Sequence, residues 1–482
     1  MSASAFRAPL TPPASQQSPG ASWLRAFEPL PREHGFEPLR VEGQLPADLV
    51  GTLYYVGPAS FSAFGQRLSH WFDGDGAVTA VRFGGGAQGA VRFVETQHRA
   101  QEQRAGRLLY VRFGTVIPGG PLHRLRVPAY NGASTSVFRW QGRLFALYEA
   151  SLPTELAPGN LATLGETDLG GAVLQCFSAH PHRVPERQAT YNFGTRFGPG
   201  WMKLDIFELP DSGPARRLTT LPLPAMTMVH DFIATPRYLL FLLPPVRIHP
   251  LRLVLGLEPL SRNLTYEPSL GTEVILVPLD APKRPVRFTV DAFFQWHFAH
   301  AFEQGGELVV DLVRYEDFSS NRLLAELLSG ETRTPASGLL HRLRVDPVRR
   351  RLSTEPLWDV PCEYPHPSPT VTCQEGRYLY LTANTPEARR GPQDVLGKWD
   401  HLHRRAVTVS PGPDQYPSEP VFVPRRGATR EDDGYLLSLV YDARAHATQA
   451  VVYDAQELER GPLARAWFNH HIPFTVHGLW AG

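Results

Sequence analysis

Eighteen of the 482 residues are histidine, and the chemistry open to this chain turns on four of them. His180 stands in Ser178-Ala179-His180-Pro181-His182, and His230 in Met228-Val229-His230-Asp231-Phe232. His297 stands in Phe294-Gln295-Trp296-His297-Phe298-Ala299-His300, and His477 in Phe474-Thr475-Val476-His477-Gly478-Leu479-Trp480. A lone histidine is commonly a surface residue or a hydrogen-bonded core residue. These four share apolar or aromatic neighbours, and a buried imidazole needs a partner at each ring nitrogen. A metal ion on one side and a carboxylate on the other is one way to supply both. No two of the four lie at a local metal-ligand interval, so spacing alone favours four separate core histidines over one centre.

The elements that must position them read as strands. Short apolar runs recur between Gly, Pro and Asp turns: 51–56, 77–83, 108–113, 136–140, 143–149, 238–243, 273–277, 307–313, 378–382, 435–441 and 449–453. His180 ends a strand-like run over 172–177, and His230 precedes a strand continuing to Leu243. Helical pattern is scarce, with one candidate over 321–329 and a shorter one near 153–164. The chain is therefore expected to be all-β. Many short strands over more than 400 residues suggest a closed or radially repeated fold, which manages exposed strand edges. A β-propeller fits, and a pair of packed sandwiches is the alternative. Residues 1–20, rich in Ser, Ala, Pro and Gln, read as a disordered arm. Residues 21–482 show no domain break.

Composition narrows the class of function. Lys and Arg number 48 against 47 Asp and Glu, so no electrostatic footprint for nucleic acid exists. Three cysteines, Cys176, Cys362 and Cys373, make no disulfide framework and no metal-type pair, which fits a reducing compartment. No apolar run reaches the ~18 residues of a membrane span, and no secretory signal is visible. A cytoplasmic protein is expected. In the segment 241–260, apolar residues flanked by Arg247 and Arg252 can rest in a membrane interface, giving peripheral contact. A loop packed on its own core is the other reading.

The four histidine motifs occur in the order A-H-P, V-H-D-F, W-H-x-x-x-A-x-E and H-G-x-W. Gly51-Thr52-Leu53-Tyr54, Gly57-Pro58, His70-Trp71-Phe72-Asp73-Gly74-Asp75-Gly76 and Tyr435–Asp442 accompany them. Together, from about Phe36 to Gly482, these segments resemble the carotenoid cleavage oxygenase family, and within it the bacterial apocarotenoid oxygenases. The resemblance implies a seven-bladed β-propeller with a loop and short-helix cap over the metal-bearing top face. It implies Fe(II) on the propeller axis, held by His180, His230, His297 and His477. Glu149, Glu363 and Glu419 fall where the family places glutamates that hold the ligand imidazoles. Thr135 falls beside an open iron position. Tyr148, Trp296 and Phe298 adjoin these residues and are tunnel candidates. The family has Asn where this chain has His300, so His300 competes with His297 as the third ligand.

The implied reaction is cleavage of one C=C bond of a lipophilic polyene, an apocarotenoid, by O2 to two carbonyl products; 15,15′ scission would give retinal. Imidazole also suits Zn, Cu and Ni, but O2 chemistry needs a redox metal. Two alternatives stand beside this reading. One is a stilbene- or phenylpropanoid-cleaving dioxygenase of the same fold. Such relatives use a lysine and a tyrosine on a phenol, and this chain's lysines, Lys203, Lys283 and Lys398, lie outside the expected 128–149 region. The other is a metal-free propeller that serves as a binding scaffold.

Overall fold

A computed structural model describes residues 21–117, 127–198, 201–249 and 258–482; the expected arm over 1–20 lies outside them. The apolar runs pair with their sequence neighbours through tight turns. Gln141 and Gly142 have φ of 48° and 77°, and Gly305 and Gly306 have 60° and 88°. Two consecutive residues at positive φ suit the twist of an antiparallel hairpin, which is why glycine stands at these turns. They join Ser136–Trp140 to Arg143–Leu147, and Phe294–Gln304 to Glu307–Tyr315.

Seven antiparallel sheets of four to six strands result, in the arrangement of a seven-bladed propeller. The first holds Gly51–Pro58, Gly76–Phe83 and Ala87–Phe93. The second starts at Ser136–Trp140, the third at His182–Val184 and the fourth at Ile233–Ala234. The fifth starts at Phe294–Gln304, the sixth at Cys362–Pro367, and the seventh is built on Gly434–Asp442. The ring closes by exchange between chain ends. The C-terminal strand Gly478–Ala481 pairs with Gly51–Pro58, and Arg40–Gly43 pairs with Pro462–Trp467 of the last sheet. Closure through paired strands leaves no open edge between first and last blade.

Burial explains the unalternating sequences. In Tyr238–Leu243 the odd positions, Leu239, Phe241 and Leu243, pack against Phe193, Ile206 and Phe232 of the third-to-fourth blade interface. The even positions, Leu240 and Leu242, pack against Val310 and Leu312 of the fifth blade. Both faces of the strand are buried, so the run Tyr-Leu-Leu-Phe-Leu-Leu needs no polar side. Each such side chain contributes about 1.5–3 kcal/mol of burial.

Several expectations are corrected. Residues 153–164 are not helical but form strands Thr154–Leu156 and Thr163–Glu166, because Thr154–Leu156 pairs with Arg143–Leu147 while Pro158 and Gly159 turn the chain back. Residues 172–177 form no strand, and 108–113 hold only an isolated bridge from Val111 to Ala129. The strand after His230 is a hairpin, Ile233–Ala234 folding back on Tyr238–Leu243. Helix Ser320–Ser329 is where it was expected. Helix Gln97–Ala105 was missed because it has no apolar stripe; Thr96 caps its start by accepting the Arg99 N–H at 3.2 Å, and Gly106 ends it.

Leu323 and Leu327 of the longer helix pack with Phe27, Trp71 and Phe474 into a cap. The start of the segment expected at a membrane is core instead: Phe241, Leu242, Leu243 and Val246 are buried. The apolar residues Leu251, Leu253, Val254, Leu255 and Leu257 lie outside the described residues. No helix among the described residues is long and apolar enough to cross a membrane.

Candidate metal centre between two cavities

His180, His230 and His477 each sit just before a strand at the edge of its sheet: His182–Val184, Ile233–Ala234 and Gly478–Ala481. His297 lies within the edge strand Phe294–Gln304. Four edge strands of a ring face one axis, so residues 50 to 297 positions apart meet. His180 Nε2 is 3.1 Å from His230 Nε2, which is 3.4 Å from His297 Nε2. His477 completes the group, its ring centroid 4.8 Å from those of both His180 and His297.

The strand that carries His297 is not regular. Its register breaks between Gln295 and Phe298 and again before His300. Asp231 pins this bulge from the neighbouring blade: one oxygen accepts the Phe298 N–H at 2.9 Å, the other the Phe232 N–H at 2.7 Å and His182 Nε2 at 3.0 Å. Asp231 was not singled out among the candidates; its place beside His230 was the available signal. His300 stands apart from the cluster, donating from Nε2 to the Gln374 carbonyl at 2.5 Å.

The outer nitrogens face carboxylates. His297 Nδ1 is 2.6 Å from Glu363, and His477 Nδ1 is 2.8 Å from Glu419. A Glu149 carboxylate oxygen lies 2.5 Å from His230 Nδ1, without hydrogen-bond alignment. Each carboxylate is itself held. Glu363 accepts the Tyr315 hydroxyl at 2.5 Å and the Tyr364 N–H at 2.8 Å. Glu419 accepts His366 Nε2 at 2.7 Å and the Gly478 N–H at 2.6 Å.

Burial and neighbouring imidazoles push His180 well below its ordinary range, and burial lowers His477 despite Glu419. Burial also works to lower His297, but the Glu363 carboxylate outweighs it and the net shift is upward. Glu363 and Glu419 are held low, since their histidine partners more than offset their burial.

This pattern has a chemical consequence. A neutral imidazole that donates from Nδ1 to a carboxylate presents a lone pair at Nε2. The Nε2 atoms of His297 and His477 then face those of the other two histidines, with His297 Nε2 in hydrogen-bond contact with His230 Nε2 at 3.4 Å. The buried Nε2 of His477 has no hydrogen-bond partner. A buried acceptor without a donor costs roughly 1–3 kcal/mol, and a cation at the convergence point removes that cost. The ligand atoms of His180, His297 and His477 lie within 4.8 Å of one another, as do those of Glu149, His180 and His230. The cluster can hold a metal ion.

Two cavities meet at it. One, of about 290 Å³, is walled by apolar side chains including Phe72, Phe113, Phe193, Met228 and Leu324. Thr135, Tyr148, Glu149 and Trp296 line it too. The other, of about 450 Å³, is more polar, with Arg183, Asp231, His300 and His366. His297 and His477 line both, so the histidines form a floor between them. Phe298 faces the polar cavity and the fourth-to-fifth blade core rather than the apolar one, correcting its expected place. The bulge at His297 turns it away from Trp296.

Residues 27–482 match the family model described as retinal pigment epithelial membrane protein. The chain belongs to this family, the carotenoid oxygenases. It is 33% identical to the apocarotenoid-15,15′-oxygenase of Synechocystis over 98% of its own length and 99% of that protein's. It is 28% identical to lignostilbene-alpha,beta-dioxygenase isozyme III of Sphingomonas paucimobilis, across 94% and 96% of the two chains. The structure of cobalt-substituted Synechocystis apocarotenoid oxygenase superposes with a TM-score of 0.87, covering 95% of this chain and 98% of that one at 33% identity. As a carotenoid oxygenase, the chain is an enzyme whose relatives are named as cleavage dioxygenases and oxygenases.

Proposed function

We propose that the chain holds Fe(II) through the Nε2 atoms of His180, His230, His297 and His477 and cleaves one C=C bond of an apocarotenoid with O2. The observation that carries this is the convergence of four imidazoles at the end of an apolar cavity, with Glu149, Glu363 and Glu419 behind three of them. Four neutral nitrogens suit a divalent ion of this class. Bound iron would supply the redox chemistry that lets O2 add to a polyene.

The protein's own work is positional. Glu363 and Glu419 fix the tautomers of His297 and His477 and aim their Nε2 atoms. Phe72, Trp296 and Met228 exclude water and seat a flat apolar chain against the floor. Thr135 lines the same cavity as Glu149 and would border an open position on the ion. One C=C and one O2 yield two carbonyls, so atoms balance without a side-chain acid or base.

No lysine is among the described residues lining the apolar cavity, which favours a polyene over a phenolic stilbene. The lipid surface that would deliver such a substrate finds support in the hairpin of Ala189–Gly198 and Trp201–Pro210. Phe197 and Trp201, each 42% exposed, flank its tip, and Phe197 reaches the cavity.

The test is reconstitution with Fe(II) without oxygen, then exposure to air with an apocarotenal and a hydroxystilbene in parallel, read by product mass. Two aldehydes from the apocarotenal are expected. Cleavage of the stilbene alone would move the substrate class. Stoichiometric iron with neither product would leave the centre and remove the substrate, and no bound iron would remove the proposal.

A further inference from the structure

Tyr364 follows Glu363 within the edge strand Cys362–Pro367 of the sixth blade. Its φ is 53°, in the left-handed region that a bulky side chain rarely occupies. Pro365 follows it, and a residue before proline is normally held extended. The strand's register breaks between Glu363 and His366, so this conformation forms an irregularity at the axis.

The irregularity delivers two groups to one ligand. The ring of Tyr364 lies over His297 with centroids 5.3 Å apart and planes 27° from parallel. Its edge-on contact with His477 is at 5.5 Å and 75°. Its backbone N–H donates at 2.8 Å to the same Glu363 oxygen that takes His297 Nδ1–H at 2.6 Å. The ring also lines both cavities, filling the floor beside the two histidines.

We propose that Tyr364 is a positioning residue of the metal centre: its ring, aimed by a strained backbone, braces His297 and His477 and closes the floor between the cavities. The proposal rests on the reading of the four histidines as ligands. A regular strand would turn this side chain elsewhere, and a freely rotating His297 would lose alignment of its Nε2 with the other three. The backbone strain is retained at this one position next to the cluster, where the ring's two contacts over-determine it.

The experiment is Co(II) titration of the full chain without oxygen, read by visible absorption and equilibrium dialysis, with melting temperature alongside. Tyr364→Gly keeps the backbone at ease at φ 53° but removes the brace. It should bind Co(II) about ten-fold more weakly, with a shifted ligand-field band and no lower melting temperature. Tyr364→Phe keeps the ring and should match wild type in both affinity and spectrum; it also serves if the glycine variant does not fold. Wild-type affinity and spectrum in Tyr364→Gly would overturn the proposal. So would a Tyr364→Phe variant that binds weakly, since the hydroxyl would then be the active part. A wild-type chain that binds no Co(II), or a His297→Ala variant that binds as wild type, would instead overturn the ligand assignment beneath it.

Discussion

His297 Nδ1 and Glu363 Oε2 lie 2.6 Å apart, and the other Glu363 oxygen takes the Tyr315 hydroxyl at 2.5 Å. The carboxylate is thus saturated by donors and can offer His297 only an acceptor. That fixes a proton on Nδ1 and makes Nε2 the nitrogen that a metal ion would take. Glu419 likewise accepts from His477 Nδ1, but the same oxygen also faces His366 Nε2, and its other oxygen takes the Gly478 N–H.

Glu363→Gln should weaken Fe(II) or Co(II) binding by about 10- to 100-fold without unfolding the chain. The amide can turn an N–H toward Nδ1, which favours the wrong tautomer. Equilibrium dialysis measures it; undiminished affinity would mean that Glu363 does not orient the imidazole.

His297→Ala and His300→Ala should part company. The first removes an atom of the convergent cluster and should lower metal content to a small fraction of wild type. The second removes a hydrogen bond to the Gln374 carbonyl and should leave metal stoichiometry at one per chain. Metal analysis after dialysis reads both, and the reverse pattern would assign the third ligand to His300.

Arg112 and Glu102 form a pair at 2.5 Å whose side chains are 1% and 3% exposed. Glu102 also accepts the N–H groups of Leu109 and Tyr110, at 2.8 and 3.1 Å. Glu102→Ala would leave the buried guanidinium with only the more distant Asp75, 3.9 Å away, as counter-charge, at a cost of up to about 3–5 kcal/mol. Urea unfolding should show the loss as a lower midpoint. Replacing both residues together with apolar ones should recover part of it.

His70 predicts an acid limit. Its Nδ1 accepts the Phe72 N–H at 3.2 Å and its Nε2–H donates to the Asn321 carbonyl at 3.4 Å, so the neutral ring is satisfied. A second proton on Nδ1 would face an N–H, and burial lowers the folded-state pKa from 6.5 to about 4. The unfolded chain therefore takes the proton first. The stabilisation is complete above about pH 6.5 and fades as pH falls toward 4, by about 3 kcal/mol in all. The urea midpoint should decline across that window in wild type and decline less in His70→Gln. Equal slopes would show that other groups set the acid limit.

Much of the blade structure was readable in the chain itself. Runs such as Tyr238–Leu243, bounded by turn residues, have the length of strands and an apolar character on every residue. Glycine stands at the turns that join them, and the structure puts Gly142, Gly305 and Gly306 at positive φ there. Local pattern failed where distant pairing decided the state. The residues at 153–164 become strands because Arg143–Leu147 lies beside them, and Gln97–Ala105 is a helix held by its caps rather than by an apolar face.

The amino-acid order by itself determined which residue types were on hand: four histidines in apolar settings, three glutamates, and motifs whose succession resembled one family. Only the tertiary structure decided that they meet. His477, Glu149, His180, His230, His297, Glu363 and Glu419 come from or beside the first through seventh sheets in turn, one from each. Closure of the ring by Gly478–Ala481 brings the last of them onto the same axis as the rest. The bulges at His297 and Tyr364 then set the direction of individual side chains, placing Trp296 in the apolar cavity, Phe298 outside it and a tyrosine ring over a histidine. Alternation along a strand has period two, and a one-residue irregularity reverses it for everything beyond. Such irregularities are held by contacts from neighbouring blades, as Asp231 holds the Phe298 N–H, and those contacts exist only once the ring has closed.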